Sequence, residues 1–199
     1  MNTAFNQKQF KSLIKAARIV SIVAKWLFIV TGGIALIVFI VGLYIPEDFM
    51  TFKFSSLTLH RYLDFQLEAY LSENILIKEV TLSSIFLAGG LFAVVGSVFF
   101  VGFFVLLNRI FIQVEAERPF SQEVIGSMRL IAFGFMAAGI VIPIFEYLFL
   151  YSLASQIDDA LHVTYNLNLG YVMIGALVYI IMRIFEYGAY LQNQYDETV

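Results

Sequence analysis

Residues 85–107 read IFLAGGLFAVVGSVFFVGFFVLL, a stretch that carries no charged side chain and is long enough to cross the hydrocarbon core of a bilayer. Three further apolar runs lie at residues 27–45, 130–151 and 169–185. A helix satisfies its own backbone hydrogen bonds in lipid, so apolar runs of this length favour helices. The sequence therefore predicts four transmembrane helices.

The composition also indicates a membrane protein. Of 199 residues, 60% are hydrophobic and only 14% are charged. A soluble domain of this size has too little interior to bury so much apolar surface. The chain contains no Cys, which excludes disulfides, thiolate metal sites and cysteine nucleophiles. We predict an all-α integral membrane protein that forms a single membrane domain over residues 1–199.

The basic residues predict the orientation. Most of the 12 Lys and Arg residues precede the first span, lie between the second and third, or end the fourth. By the positive-inside rule, both termini are expected in the cytoplasm of a bacterial cell. The expected segments are a cytoplasmic leader (1–26), an outer loop (46–84), a cytoplasmic loop (108–129) and a cytoplasmic tail (186–199). In the outer loop, apolar and polar side chains alternate from Phe52 onwards, which predicts a small, partly extended extracellular cap.

The leader has the pattern of an amphipathic helix. Phe10, Leu13, Ile14 and Ala17 share one helical face, and basic residues recur beside them. Such a helix is expected to lie on the anionic inner leaflet, with a protein-docking surface as the alternative and no direct contact with nucleic acid. The candidate lipid-surface residues are Lys8, Lys11, Lys15, Arg18 and Lys25.

The second span carries a small residue at every fourth position, at Gly89, Ala93 and Ser97. Small side chains let another helix backbone approach closely, and close packing is the main source of helix association in lipid. We expect this face to pack inside the four-helix bundle. A homodimer seam is the alternative.

The cytoplasmic loop contains the signals of a helix start. Ser121 is a good N-cap, Glu123 lies in the first turn near the positive end of the helix dipole, and Phe120 and Ile125 occupy the positions of a hydrophobic staple. The loop is therefore expected to be ordered. The preferred interpretation is an intact helix start, and the alternative is a docking site for a cytosolic partner, with Arg118, Pro119, Phe120 and Arg129 as the candidate residues.

The tetrapeptide IFEY occurs twice and places Glu146 and Glu186 inside apolar runs. The third span runs outward and the fourth inward, so the two carboxylates are expected near opposite faces of the membrane and cannot form a catalytic pair. Glu186 follows Arg183 by three residues, which predicts an ion pair that anchors the helix.

Glu146 has no basic residue within one helical turn. We expect it to be tied to a basic residue of the cap, and the alternative is a proton-sensing or ligand-sensing carboxylate. The candidate partners are Lys53, Arg61, Lys78 and His162.

No catalytic motif is present. The sequence lacks H-E-x-x-H, G-x-S-x-G, a P-loop and paired metal-ligand spacing. We therefore predict no enzymatic activity, no cofactor and no metal site.

Two stretches resemble a known family. They are ERPFSQEVIGSMRLIA, similar to G-x-P-F-x-x-x-N-x-x-x-L-R, and IFEYGAYLQNQYDETV, similar to I-F-x-x-G-x-x-L-x-x-E-x-D-x-T-V. These patterns are those of the bacterial domain-of-unknown-function family two-nine-seven-five, small four-helix membrane proteins frequently encoded beside a short helix-turn-helix transcription regulator. The chain departs from them at Glu117, where a Gly is usual, and at Val124, near the usual Asn. The matching residues are Pro119, Phe120, Met128, Arg129, Gly188, Leu191, Asp196, Thr198 and Val199.

The resemblance implies a membrane component of a regulatory pair. The function expected is a non-enzymatic membrane sensor or regulatory subunit that works with a cytosolic partner, such as a small helix-turn-helix regulator. The alternative is a small transporter component or an immunity protein against membrane-active peptides.

Overall fold

Four long helices dominate the described part of the chain. The computed structural model describes residues 7–46, 51–52, 80–157 and 165–198. The predicted all-helical fold with four transmembrane helices is confirmed, because four of its helices are long and apolar enough to cross a membrane. The elements are α1 (Gln7–Tyr44), β1 (Thr51–Phe52), β2 (Val80–Thr81), α2 (Leu82–Glu115), α3 (Gln122–Ile157) and α4 (Leu169–Thr198).

The helices are longer than the predicted spans. The 38 residues of α1 extend over about 57 Å, whereas the hydrocarbon core is about 30 Å thick. The predicted leader and first span are one helix, and α4 likewise continues through most of the predicted tail. Starting a helix is costly but extending one is not, so the polar flanks continue the helices that the spans begin.

The two short strands join the ends of the outer loop. Thr51 pairs with Thr81 and Phe52 with Val80 in an antiparallel register. The amide of Thr81 also donates to Oε1 of Gln156 at 2.9 Å, which attaches this pair of strands to α3. The remainder of the predicted cap, including residues 53–79, lies outside the described residues, so its extended character stays a prediction.

The chain divides into two compact units. The first unit contains Met1–Ile29, Val98–Gly139 and Leu169–Val199. The second contains Val30–Ser97 and Ile140–Asn168.

In the second unit, α1 and α2 approach each other at small residues. The Cβ of an alanine at Gly90 would lie 2.9 Å from the backbone nitrogen of Phe39, and one at Gly32 would lie 2.9 Å from Cβ of Ser97. Gly42 is equally close to α2. From Gly32 to Gly42 of α1, the contacting residue of α2 moves back from Ser97 to Phe86. The two helices are therefore antiparallel. Close approach of this kind lets dispersion forces act between helices that gain nothing from hydrophobic burial in lipid.

The first unit has its own core between α3 and α4. Val124, Ile125 and Met128 of α3 pack against Met182 and Ala189 of α4. This core lies at the start of α3, beside the connection from α2. It therefore supports the connection between these helices, residues 116–121, which is the α2–α3 turn.

Candidate functional site

The α2–α3 turn begins with a left-handed residue. The amide of Glu117 donates to the carbonyl of Val114 at 3.1 Å, and the amide of Arg118 donates to the carbonyl of Gln113 at 2.9 Å. These two bonds are the Schellman motif, which requires a left-handed conformation at the residue after the helix cap. Glu117 adopts it with φ of 61°. A glutamate thus makes the turn at the position where the resembled family usually has Gly.

The strain at Glu117 leads to a stability prediction. A side chain in the left-handed region costs free energy that glycine does not, so Glu117→Gly should be more stable than Glu117→Gln by about 1 kcal/mol. The Gln variant is the matched control, because both changes remove the ion pair that Glu117 makes with Lys11. Thermal unfolding of both variants in detergent measures the difference. Equal unfolding midpoints would contradict the left-handed turn.

The start of α3 is capped as predicted. Oγ of Ser121 accepts a hydrogen bond from the amide of Val124 at 3.4 Å, and the carbonyl of Ser121 accepts one from the amide of Ile125 at 3.1 Å. Glu123, in the first turn of α3, accepts a hydrogen bond from Nε2 of Gln113 near the end of α2. The two helix ends are therefore joined directly across the turn.

Phe120 attaches the turn to α4. Its ring centroid lies 5.5 Å from that of Phe185. The Cβ of an alanine at Gly188 would lie only 2.8 Å from Cε1 of Phe120, so the glycine leaves room for the ring. Phe120 and Gly188 belong to the two different stretches that carry the family resemblance, and the structure brings these stretches together. Phe120 nevertheless stays 38% exposed.

Two cations of α1 pair with carboxylates at the end of α2 and in the turn that follows it. Nζ of Lys11 lies 2.6 Å from Oε1 of Glu117, and Nη1 of Arg18 lies 2.7 Å from Oε2 of Glu115. Ile14, between these two cations in the sequence, is buried. Beyond Arg18, the hydroxyl of the buried Ser21 donates to the carbonyl of Phe104 at 3.1 Å. The predicted leader is thus packed along α2 in the first unit.

The other candidate lipid-surface cations have different surroundings. Lys15 is exposed, and Nζ of Lys25 lies 5.4 Å from the centroid of the Trp26 ring. The side chain of Lys8 lies outside the described residues. The ion pairs of Lys11 and Arg18 were not foreseen from the sequence, although the acidic residues at the end of α2 were a signal that could have suggested them.

Arg129 and Arg183 both contact Glu186. Nη1 of Arg183 donates to Oε2 of Glu186, which is the predicted pair within α4. Nη2 of Arg129 lies 3.4 Å from Oε1 of the same carboxylate. Arg129, a candidate docking residue, therefore links α3 to α4. Of the other docking candidates, Arg118 is exposed and Pro119 is half-buried.

The small-residue face of α2 makes contacts within the chain. A Cβ at Gly89 would lie 3.4 Å from the ring of Phe149 in α3, while Ser97 is buried next to Gly32 of α1. Ala93 is half-buried. Gly89 and Ser97 thus face different helices, α3 and α1.

Glu146 is half-buried in α3 of the second unit. Among the described residues, none forms an ion pair or hydrogen bond with it. Its four predicted partners, Lys53, Arg61, Lys78 and His162, lie outside the described residues. The tie between Glu146 and the cap stays a prediction.

Metal ligands are not clustered in the part of the chain that the structure describes. No group of three or more His, Cys, Asp or Glu residues there could hold a metal ion. The site is a polar turn that is held by ion pairs to α1 and by an aromatic contact to α4.

Comparison with known proteins identifies the family. Residues 66–199 match the family described as protein of unknown function (DUF2975). No curated protein and no solved structure gives a significant match. The family match covers both stretches that meet at the turn and most of the chain, and the chain therefore belongs to the DUF2975 family.

Proposed function

We propose that this protein is a non-enzymatic membrane sensor or regulatory subunit that binds a cytosolic partner through the α2–α3 turn. Support comes from one observation: hydrogen bonds and contacts with α1 and α4 hold the turn, which keeps a cation and an aromatic ring accessible. Arg118 and Phe120 are both exposed, and such residue types are enriched where proteins bind one another. The partner proposed is a small helix-turn-helix regulator.

The rigidity matters for binding. A flexible loop loses conformational entropy when a partner orders it, whereas a preorganised one does not. Here the Schellman motif at Glu117, the Ser121 cap and the Phe120 contact with α4 each hold one part of the turn in place. A partner that docks on Arg118 would therefore meet a surface that is already in place.

The proposed orientation puts the turn and both termini in the cytoplasm of a bacterial cell. The support is the excess of Lys and Arg on that side of the spans. In this Cys-free chain, an impermeant thiol reagent added to intact cells should label Ser55→Cys but should label Arg118→Cys only after permeabilisation. Labelling of Arg118→Cys alone on intact cells would reverse the orientation.

Docking at the turn can be tested by charge reversal. The wild-type chain, purified from gently solubilised membranes of its own cells, should retain a cytosolic protein that Arg118→Glu loses. Arg109→Glu is the matched control, because it reverses an exposed cation of α2 that lies nine positions before Arg118. Both variants should unfold at the wild-type temperature. Retention of the same protein by Arg118→Glu, or its absence from the wild-type preparation, would reject the turn as the docking site.

A cavity in the second unit supports the alternative of a small transporter component or an immunity protein. It has a volume of ≈ 290 Å³ and an almost wholly apolar lining that includes Phe39, Leu91 and Phe149, with Ser84 and Ser152 as its polar members. An ion needs several oxygen ligands, and two hydroxyls do not provide them. The cavity therefore favours an apolar ligand, such as a hydrophobic side chain of a peptide, over an ion.

A further inference from the structure

Two arginines share one carboxylate where α3 and α4 lie side by side. Oε2 of Glu186 accepts a hydrogen bond from Nη1 of Arg183, and its Oε1 lies 3.4 Å from Nη2 of Arg129. Among the side chains that the structure describes, Glu186 is the one carboxylate that pairs with either arginine. Two positive charges thus face one negative charge. Each guanidinium has five N–H donors, so both arginines keep donors for a second anion.

A surface groove lies beside this cluster. It has a volume of ≈ 310 Å³ and is lined by Arg183, Glu186, Tyr187 and Tyr190, and we call it the Arg183 groove. The two tyrosine rings stack with their centroids 6.4 Å apart, and the hydroxyl of Tyr190 accepts a hydrogen bond from Nε2 of Gln194 at 2.7 Å. A hydroxyl that accepts one hydrogen bond can still donate its own proton. The groove therefore offers an anion both guanidinium and hydroxyl donors.

Both arginines lie at the border of apolar stretches. Residues 130–145 of α3, which follow Arg129, contain no charged side chain, and neither do residues 169–182 of α4, which precede Arg183. A charged side chain is costly inside the hydrocarbon core, so arginines at the ends of such stretches extend to the level of the lipid headgroups. The anions that are abundant at this level are the phosphates of phospholipids.

An exposed apolar side chain lies one helical turn deeper than each arginine. Ile180 precedes Arg183 by three positions and is 57% exposed, and Phe133 follows Arg129 by four positions and is 53% exposed. Residues at these spacings share one face of a helix. A lipid whose phosphate contacts the arginines would therefore place its acyl chains beside these apolar side chains. A water-soluble phosphate would contact the arginines alone.

We propose that the Arg183 groove binds the phosphate of one anionic phospholipid, from the leaflet on the side of the α2–α3 turn. Arginine matches phosphate because its planar guanidinium can donate two parallel hydrogen bonds to two oxygens. The excess positive charge favours a lipid of net negative charge over a zwitterionic one, and basic pockets between transmembrane helices bind anionic headgroups in this way. Glu186 orients both arginines, while its own charge weakens the binding. This inference does not depend on a cytosolic partner.

Native mass spectrometry of the detergent-solubilised chain measures the lipid selectivity. The probe is an equimolar mixture of phosphatidylglycerol and phosphatidylcholine with the same acyl chains, and the first lipid bound should be phosphatidylglycerol several-fold more often. Arg183→Gln should lose this preference, whereas Arg109→Gln, which removes an exposed cation of α2 in the same unit, should keep it. Equal binding of the two lipids by the wild-type chain, or the same selectivity in both variants, would overturn the proposal.

Glu186→Gln separates a lipid site from an ion pair that only joins two helices. The substitution removes the carboxylate that competes with phosphate for the two arginines, so the affinity for phosphatidylglycerol should rise several-fold. A purely structural ion pair predicts lower stability and no gain in affinity. Unchanged or weaker lipid binding by a Glu186→Gln protein with wild-type helix content, measured by circular dichroism, would contradict the proposal. If Arg183→Gln does not fold, the result at Glu186 decides the role of the cluster.

A third measurement distinguishes a lipid from a soluble phosphate. A ligand that binds the folded state raises the unfolding temperature. Phosphatidylglycerol should therefore raise the unfolding temperature of the detergent-solubilised wild-type chain, and inorganic phosphate at the same concentration should not. An equal rise with inorganic phosphate would show that the groove takes phosphate without the lipid and would overturn the assignment.

Discussion

Replacement of Ile125 by alanine should lower the free energy of unfolding by about 2–5 kcal/mol, since it removes a large side chain from a packed core. Ile125 is only 2% exposed and lies in the cluster of α3 and α4 residues that supports the α2–α3 turn. The surrounding helices cannot close the resulting cavity without losing their own contacts. Thermal or denaturant unfolding in detergent micelles measures the loss.

Leu130→Ala is the matched control for this change. Leu130 lies five positions later on the same helix and is 59% exposed. Its truncation removes a surface side chain and should change stability by about 0.5 kcal/mol or less. A loss at Ile125 no larger than that at Leu130 would mean that the α3–α4 core is not packed as described.

The second large effect is expected at Gly175. An alanine there would place its Cβ 2.7 Å from the carbonyl oxygen of Ala132 and 2.9 Å from the backbone nitrogen of Met136. Backbone atoms cannot rotate away as a flexible side chain can, so Gly175→Ala must push α3 and α4 apart. The expected cost is about 1–3 kcal/mol, measurable as a lower unfolding temperature in detergent.

Gly102→Ala provides the comparison for Gly175→Ala. A Cβ at Gly102 of α2 would meet nothing within 4 Å. Since alanine is the better helix former, this substitution should be neutral or stabilising by up to about 1 kcal/mol. If the two substitutions changed the unfolding temperature equally, the close contact at Gly175 could not be the cause of the destabilisation.

The features predicted from the sequence are those that depend on local interactions. The four spans follow from hydropathy, because any long apolar run in lipid must satisfy its backbone as a helix. The Ser121 cap and the pair between Arg183 and Glu186 involve residues within one helical turn of each other. Patterns over such short distances are visible in a single sequence.

The features that could not be predicted join distant parts of the chain. Arg18 and Glu115 are far apart in sequence, and only the packing of α1 on α2 brings them together. The small residues of α2 were expected to pack inside the bundle, but their individual neighbours depend on the register of the helices, which periodicity alone does not determine. The left-handed conformation of Glu117 could not be predicted for a different reason: glutamate does not favour that conformation.

The close fit of Phe120 over Gly188 constrains how related sequences can vary. An alanine at position 188 would place its Cβ 2.8 Å from Cε1 of Phe120, so the ring would have to move away. Family members with a larger residue at the position of Gly188 should therefore carry a smaller one at the position of Phe120. The two positions are expected to covary across the family, because the turn contacts α4 at this point.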